Sequence, residues 1–191
     1  VVQALKDANC GVIMISHWVA AELAAFALSD TLDPTPGALV YLQYGPSQPE
    51  FLDLVGDAAE GFFWGIVIGT YADEQGMAFR EAYMAKYPCT MGRVYPGSGY
   101  DTVNILAKVW ATVDPSDFDA VGMAIRGISH RGVCGTYSFA SEDKGPLSYP
   151  NTTDGPDADQ ADLIFQVRDG AHTIISPAVV KQADFRPAPW M

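Results

Sequence analysis

The sequence predicts an α/β fold, and three observations carry that prediction. Apolar, β-branched runs of strand length alternate with helix-patterned stretches over residues 1–70, a β-α-β-α-β rhythm that suits a parallel sheet flanked by helices. The 191 residues are 49% hydrophobic and 12% aromatic, enough to build a full core. The rhythm then stops at Gly69-Thr70-Tyr71 and gives way to helices in succession, followed by short strands. That order does not suit one plain doubly wound domain. It suits a chain that leaves one lobe, visits another and returns.

Taken in order, residues 1–9 place Val2, Leu5 and Ala8 at helical spacing, closed by Asn9. GVIMIS from Gly11 is a buried-strand run. Residues 19–32 form an Ala/Leu helix with Leu23, Phe26 and Ala27 on one face. Asp33-Pro34-Thr35-Pro36-Gly37 is a turn by composition. ALVYLQ is the second strand, PEFLDLVG a short helix opened by Pro49, and FFWGIVIG the third strand.

Beyond Tyr71, residues 73–87 place Phe79, Tyr83 and Tyr87 four apart. Residues 100–113 put Val103, Leu106, Ala107, Trp110 and Val113 on one stripe, with Gly97-Ser98-Gly99 read as a turn before the helix. Asp114-Pro115 reads as a cap with proline at the first helical position, ahead of Phe118, Val121, Ile125 and Ile128. GVCGTYSFA, DLIFQVRDG and AHTIIS are strands, the last two joined by an Asp169-Gly170 hairpin turn. Residues 141–161 are polar and rich in Gly, Pro and Asp, the composition of a loop.

The charge balance excludes several functions. Asp and Glu number 23 against 11 Lys and Arg, a net charge of −12. No cations cluster into the basic face a nucleic-acid binder needs, and an anionic membrane surface repels such a chain. No apolar run reaches the length of a membrane helix. Cys10, Cys89 and Cys134 are too scattered for a disulfide framework or a zinc site. His17, His130 and His172 share no ligand spacing. The chain lacks a GxSxG elbow, a Walker A lysine motif and a complete dinucleotide fingerprint. No cofactor, metal site or catalytic constellation is expected, and the chain does not read as an enzyme.

The candidate binding residues lie at strand-to-helix turns. His17 sits just past the GVIMIS strand and Trp18 follows it; Tyr44 follows the second strand and Tyr71 the third. In open α/β sheets ligands sit outside the carboxyl ends of strands. Aromatics with polar tips close over a small solute and hydrogen-bond it. Packing of the helix–sheet interface is the alternative role for the same residues.

In sequence order, the stretches Gly56-Asp57-Ala58-Ala59-Glu60-Gly61, Gly69-Thr70-Tyr71, Phe79-Arg80-Glu81-Ala82-Tyr83, Tyr100-Asp101-Thr102-Val103, residues 131–139, Phe165-Gln166-Val167-Arg168-Asp169-Gly170 and Pro187-Ala188-Pro189-Trp190 resemble a known family. It is the type I periplasmic solute-binding proteins, and the branched-chain amino-acid binding proteins of ABC importers in particular. The resemblance is to the carboxyl-terminal half of such a protein and spans nearly the whole chain. It implies three-layer α/β/α lobes joined by hinge crossings. Residues 1–70 would be part of the second lobe, 71–130 a helical segment of the first, and 131–191 the return crossing and closing strands of the second.

The resemblance further implies a periplasmic or cell-surface protein whose partners are a small solute, a membrane ABC permease and the missing amino-terminal half. Solute would be bound in an interlobe cleft by hinge closure. Trp18 would cover the ligand, with His17, Tyr44, Tyr71 and Tyr100 as further contacts. In leucine binders an acidic residue at the position of Tyr44 holds the α-ammonium; Tyr44 cannot supply that charge. An amide, urea-like compound or aromatic acid is therefore as well supported as an amino acid. A ligand-sensing regulator or receptor of the same fold is the alternative. A chain holding parts of two lobes is also expected to expose apolar patches to a companion segment.

Overall fold

The structure is a computed structural model that describes residues 4, 7–17, 19–27, 37–140, 157 and 160–191. It divides into two compact units. One comprises Val1–Ile66, Leu163–Ser176 and Lys181–Met191, the other Val67–Asp162 and Pro177–Val180.

The first unit is built on a five-stranded sheet. Its strands are β1 (Val12–His17), β2 (Leu39–Tyr44), β3 (Phe63–Ile66), β6 (Leu163–Arg168) and β7 (Ala171–Ser176), ordered β1-β2-β3-β6-β7. β1, β2 and β3 run parallel, as the alternating rhythm predicts, whereas β6 and β7 are antiparallel additions. The short helices α1 (Ala20–Ala27) and α2 (Phe51–Val55) make the crossovers. Val40 and Leu42 of β2 are fully buried and join Ile13, Ala24, Phe51, Val55 and Phe62 in one apolar cluster. β1 forms an edge: Val12 and Met14 are exposed, and its described ladder is to β2.

Trp64 of β3 anchors the other half of the sheet. It is fully buried, stacks on Phe165 at 4.3 Å between ring centroids, and donates from Nε1 to His172 Nδ1 at 3.1 Å. His172, which shares no ligand spacing with the other histidines, is the acceptor that satisfies this buried indole. The Asp169-Gly170 turn appears as expected, both residues at positive φ (53° and 72°), as a two-residue hairpin of this twist requires. Gly61, at φ 87°, is needed twice over, because a Cβ there would lie 2.6 Å from Ala188 Cβ. The carboxyl-terminal segment is thereby held close, and Trp190 Nε1 donates to Ala38 O at 2.9 Å.

The second unit carries α3 (Glu74–Lys86), α4 (Tyr95–Trp110), α5 (Phe118–Gly127) and a two-stranded hairpin, β4 (Ser129–Gly132) with β5 (Gly135–Ser138). Asp73 caps α3, its Oδ1 accepting from Gly76 N at 2.8 Å. Two expected boundaries move. Gly97-Ser98-Gly99 is not a turn before a helix but part of the first turns of α4, which opens at Tyr95-Pro96. Gly97 is buried there because a Cβ would lie 2.7 Å from Cys134 Sγ and closer still to Thr70 Oγ1. Glycine here serves close packing, not chain reversal. Likewise Asp117, not Asp114, caps α5, accepting from Ala120 N at 3.0 Å. Asp114 instead folds back on Ser116, accepting from its N and Oγ.

Asp101 ties α4 to the hairpin. Its carboxylate is wholly buried and accepts from Val133 N (2.8 Å) and Cys134 N (2.9 Å). The face of α4 that is buried holds Gly97, Asp101, Ile105 and Val109. The expected stripe lies elsewhere: Val103 is 66% exposed and Trp110 48%. The apolar cluster of this unit comprises Ile105, Val133, Cys134 and Tyr137, with Phe79, Ile128 and Phe139 packed against it. His130 is buried on β4 with its Nδ1 accepting from Lys108 Nζ at 2.8 Å. Cys134 is buried, and burial pushes its thiol up to about 12; all three cysteines are free.

Two outcomes follow from this packing. Trp64→Ala is expected to lower the unfolding free energy by about 3–5 kcal/mol in urea titration, through the cavity and the lost Trp64–His172 hydrogen bond. Burial first, then the Lys108 ammonium, hold the His130 imidazole below its usual range. Its neutral form is favoured in the folded state. Stability is therefore full above the unfolded-state value near 6.5 and falls as pH drops below it. His130→Gln should flatten the fall of the melting temperature as pH drops below about 6.5.

Candidate functional site

The carboxyl ends of β1 and β2 bring two of the five candidate residues together. His17 and Tyr44 are register partners, the last pair of the parallel ladder. Just before them Ser16 Oγ donates to Gln43 Oε1 at 2.8 Å, joining the two strand ends. His17 Nε2 lies 2.5 Å from Glu22 Oε2 in the first turn of α1. Glu22 was not foreseen as a site residue. Its only sequence signal is an acidic residue in a helix first turn, which also fits stabilisation of the helix dipole.

Tyr44 carries the most unusual backbone of the site. It sits at φ 61°, ψ −47°, a conformation that side-chain-bearing residues avoid. Gly45-Pro46-Ser47 follow as a buried 3-10 turn, so β2 stops abruptly and the Tyr44 side chain is presented partly exposed. Holding a tyrosine there costs on the order of 1–3 kcal/mol, and such strain persists where the surroundings over-determine it and where function uses it. Trp18, the residue expected to cover a ligand, lies outside the described residues.

Tyr71 and Tyr100 belong to the second unit. Tyr71 is buried; its phenol oxygen accepts from Ala161 N at 2.7 Å, and its N donates to Val133 O at 3.1 Å. The Arg131 guanidinium carbon stands 5.9 Å from the Tyr71 ring centroid, while the guanidinium pairs with Asp73 and Asp157. Desolvation raises the Tyr71 phenol above its ordinary value, so it remains protonated at neutral pH. Tyr100, on α4, is half exposed and lies 4.7 Å from the Phe79 ring. With Phe79, Tyr83, Tyr87 and Pro96 it lines an apolar groove of about 600 Å3 between α3 and α4.

Chemically, the strand-end cluster offers a carboxylate, an imidazole and a phenol, which together can donate to and accept from a small polar solute. Ser16 Oγ is engaged with Gln43, so the cluster does not present a serine nucleophile poised on His17. Among the described residues no three His, Cys, Asp or Glu side chains gather to hold a metal ion, and no helix is long and apolar enough to cross a membrane.

Solved structures identify the fold. A protein from Silicibacter pomeroyi described as a branched-chain amino acid ABC transporter superposes with a TM-score of 0.80 and 31% identity, over 100% of this chain and 50% of that one. The chain has the type I periplasmic binding-protein fold. A leucine binding protein from Thermotoga maritima (TM-score 0.69, 18% identity, 95% of this chain and 47% of that one) shows the same fold. So does an extracellular ligand-binding receptor from Rhodopseudomonas palustris (0.69, 22%, 92% and 50%). No family model and no curated protein matches the sequence. The chain spans about half the length of the solved structures it matches. Both the α/β, type I periplasmic fold class and the resemblance read from the sequence stand on these structures.

The backbone of Tyr44 gives this type I chain a direct test. Tyr44→Gly should hold or raise the unfolding free energy by up to about 1 kcal/mol, because glycine relaxes the positive φ. A clear loss of stability in chemical denaturation would show that the tyrosine ring is needed for packing instead.

Proposed function

We propose that this chain is the carboxyl-terminal half of an extracytoplasmic solute-binding component of an ABC importer. The single observation that carries the proposal is the strained Tyr44 paired with His17 at the carboxyl ends of parallel strands. The likeness to binding proteins over the whole of this chain supports it. The solute is a small organic molecule: an amino acid, an amide or urea-like compound, or an aromatic acid. Tyr44 contributes a phenol where leucine binders carry a carboxylate, and Glu22 brings a carboxylate to His17 from α1 instead.

In this proposal residues 1–70 are part of the second lobe, 71–130 belong to the first, and 131–191 return to the second; the division of the chain after Ile66 supports the first of these boundaries. The remaining half of the protein supplies the rest of both lobes. Solute closes the two lobes about their crossings because the closed form alone contacts it from both sides. That closed form is what a membrane permease recognises, and the protein acts in the periplasm or at the cell surface. The name of the Rhodopseudomonas palustris structure, a ligand-binding receptor, favours a second reading in which the same closure serves sensing.

A thermal-shift screen of such solutes against the whole protein is expected to raise the melting temperature with one class, since binding to the native state alone is stabilising. No shift across all classes, with the protein folded, would remove the proposal. With the solute in hand, Trp18→Ala should weaken binding at least 10-fold by calorimetry with little change in stability. Tyr44→Phe should weaken it by about 0.5–1.5 kcal/mol if the phenol hydrogen-bonds the ligand. Unchanged affinity in either variant would take that residue out of the site.

A further inference from the structure

All six methionines lie among the described residues, and five of them are exposed. Met14, Met77, Met123 and Met191 are flexible apolar side chains at the surface. Met84 differs in what its sulfur does. It sits in the last turn of α3, 41% exposed, and its Sδ accepts from Met91 N at 3.2 Å. Met91 belongs to the segment 87–94 that joins α3 to α4, and its own side chain is buried. A backbone N–H beside a buried side chain needs a partner, and a thioether is a weak one. Two residues further on, Arg93 O accepts from Thr70 N at 3.0 Å, and Tyr71 N follows with its bond to Val133 O. The segment held by the Met84 sulfur is therefore the one that pairs with the entry of the chain into the second unit.

We propose that Met84 is a site of reversible oxidation by a small hydroperoxide, and that its oxidation releases the segment leading into α4. A sulfur lone pair attacks one peroxide oxygen. The S–O bond forms as the O–O bond breaks, and the departing oxygen takes up the proton of the transferred one and leaves as water. Sulfur loses two electrons, the peroxide gains them, and methionine sulfoxide is the product. Sulfur has two lone pairs, so the one engaged by Met91 N does not block reaction at the other. The sulfoxide sulfur is electron-poor and no longer accepts a hydrogen bond. Its new oxygen accepts well but lies one bond further out, so Met84 must swing to present it. The Met91 N–H loses its partner, and opening the segment to water relieves the unpaired amide. At Met14, Met77 and Met123 the same reaction adds a polar atom to side chains already in solvent. Methionine sulfoxide reductases restore the thioether, which makes the change reversible. The exposed Cys89 lies in the same segment and also meets peroxide, so the test removes it. The inference is independent of the solute-binding reading.

The test uses this chain carrying Cys89→Ser, with hydrogen peroxide as the probe. Trypsin cuts after Arg80 and Lys86, so Met84 is the sole methionine of the peptide 81–86, and mass spectrometry reads its added oxygen. Amide hydrogen exchange, followed by nuclear magnetic resonance, is expected to become at least 10-fold faster at Met91 after oxidation, and faster at Thr70. Both rates should return on treatment with a methionine sulfoxide reductase. Met84→Leu keeps the apolar bulk and removes the acceptor. It should show the fast exchange at Met91 without peroxide and no further change with it, whereas Met77→Leu should respond as the parent chain does. Circular dichroism establishes that each variant is folded. An unmodified Met84 alongside oxidised Met77 and Met123 would overturn the inference. So would an oxidised Met84 with unchanged exchange at Met91. A peroxide response that survives Met84→Leu would overturn it too, by assigning the effect to another group.

Discussion

A single buried carboxylate organises the helical part of this chain. Asp101 reaches out of the middle of α4 and accepts the backbone N–H groups of Val133 and Cys134 at the tip of the β4–β5 hairpin. A wholly buried charge is tolerable only when its oxygens are met by donors, and here two backbone amides meet them. Gly132 is required beside it, since a Cβ would overlap the carboxylate. The effect then spreads. Val133 O receives Tyr71 N, Cys134 Sγ packs over Gly97, and the Tyr71 phenol accepts from Ala161 N. Helix, hairpin and the entry into the unit are thus fixed by one side chain.

The strand-end site depends on a different constraint. Parallel strands of matched register finish together, so the residues that follow them are delivered to one edge of the sheet. β1 and β2 finish with His17 and Tyr44 side by side. Tyr44 is then turned by a backbone conformation that the rigid Gly45-Pro46-Ser47 segment enforces. Trp64 and His172 keep the opposite half of the sheet rigid, with a satisfied indole in place of a bare apolar contact. A precise site at one end is thereby supported by a stiff sheet behind it.

Local chemistry made much of this legible. GVIMIS and ALVYLQ become β1 and β2 because buried parallel strands are continuous apolar runs. Asp169-Gly170 becomes a hairpin turn because both residues accept positive φ. His17 and Tyr44 were found as site candidates simply because they end those runs. What was missed depends on distant partners. Nothing local to Gly97-Ser98-Gly99 reveals that Thr70 and Cys134 crowd it into a helix. Which face of α4 is buried turns on Asp101 meeting the hairpin, so an apolar stripe alone pointed to the wrong side. Glu22 looked like a helix-terminus charge until α1 placed it on His17. The strain at Tyr44 left no sequence mark, since Gly45 next to it is the residue one would choose for positive φ.

β1 stands at the end of the sheet among the described strands, and its composition has a consequence. Its sequence, VIMISH, has high strand propensity, no proline and no lysine, and it ends the sheet with Val12 and Met14 exposed. Edges of this composition are templates for strand addition, and natural proteins normally blunt them with charge, bulges or proline. β1, the end strand of the described sheet, is therefore the place where strand addition, by a further segment or by a second molecule, would begin.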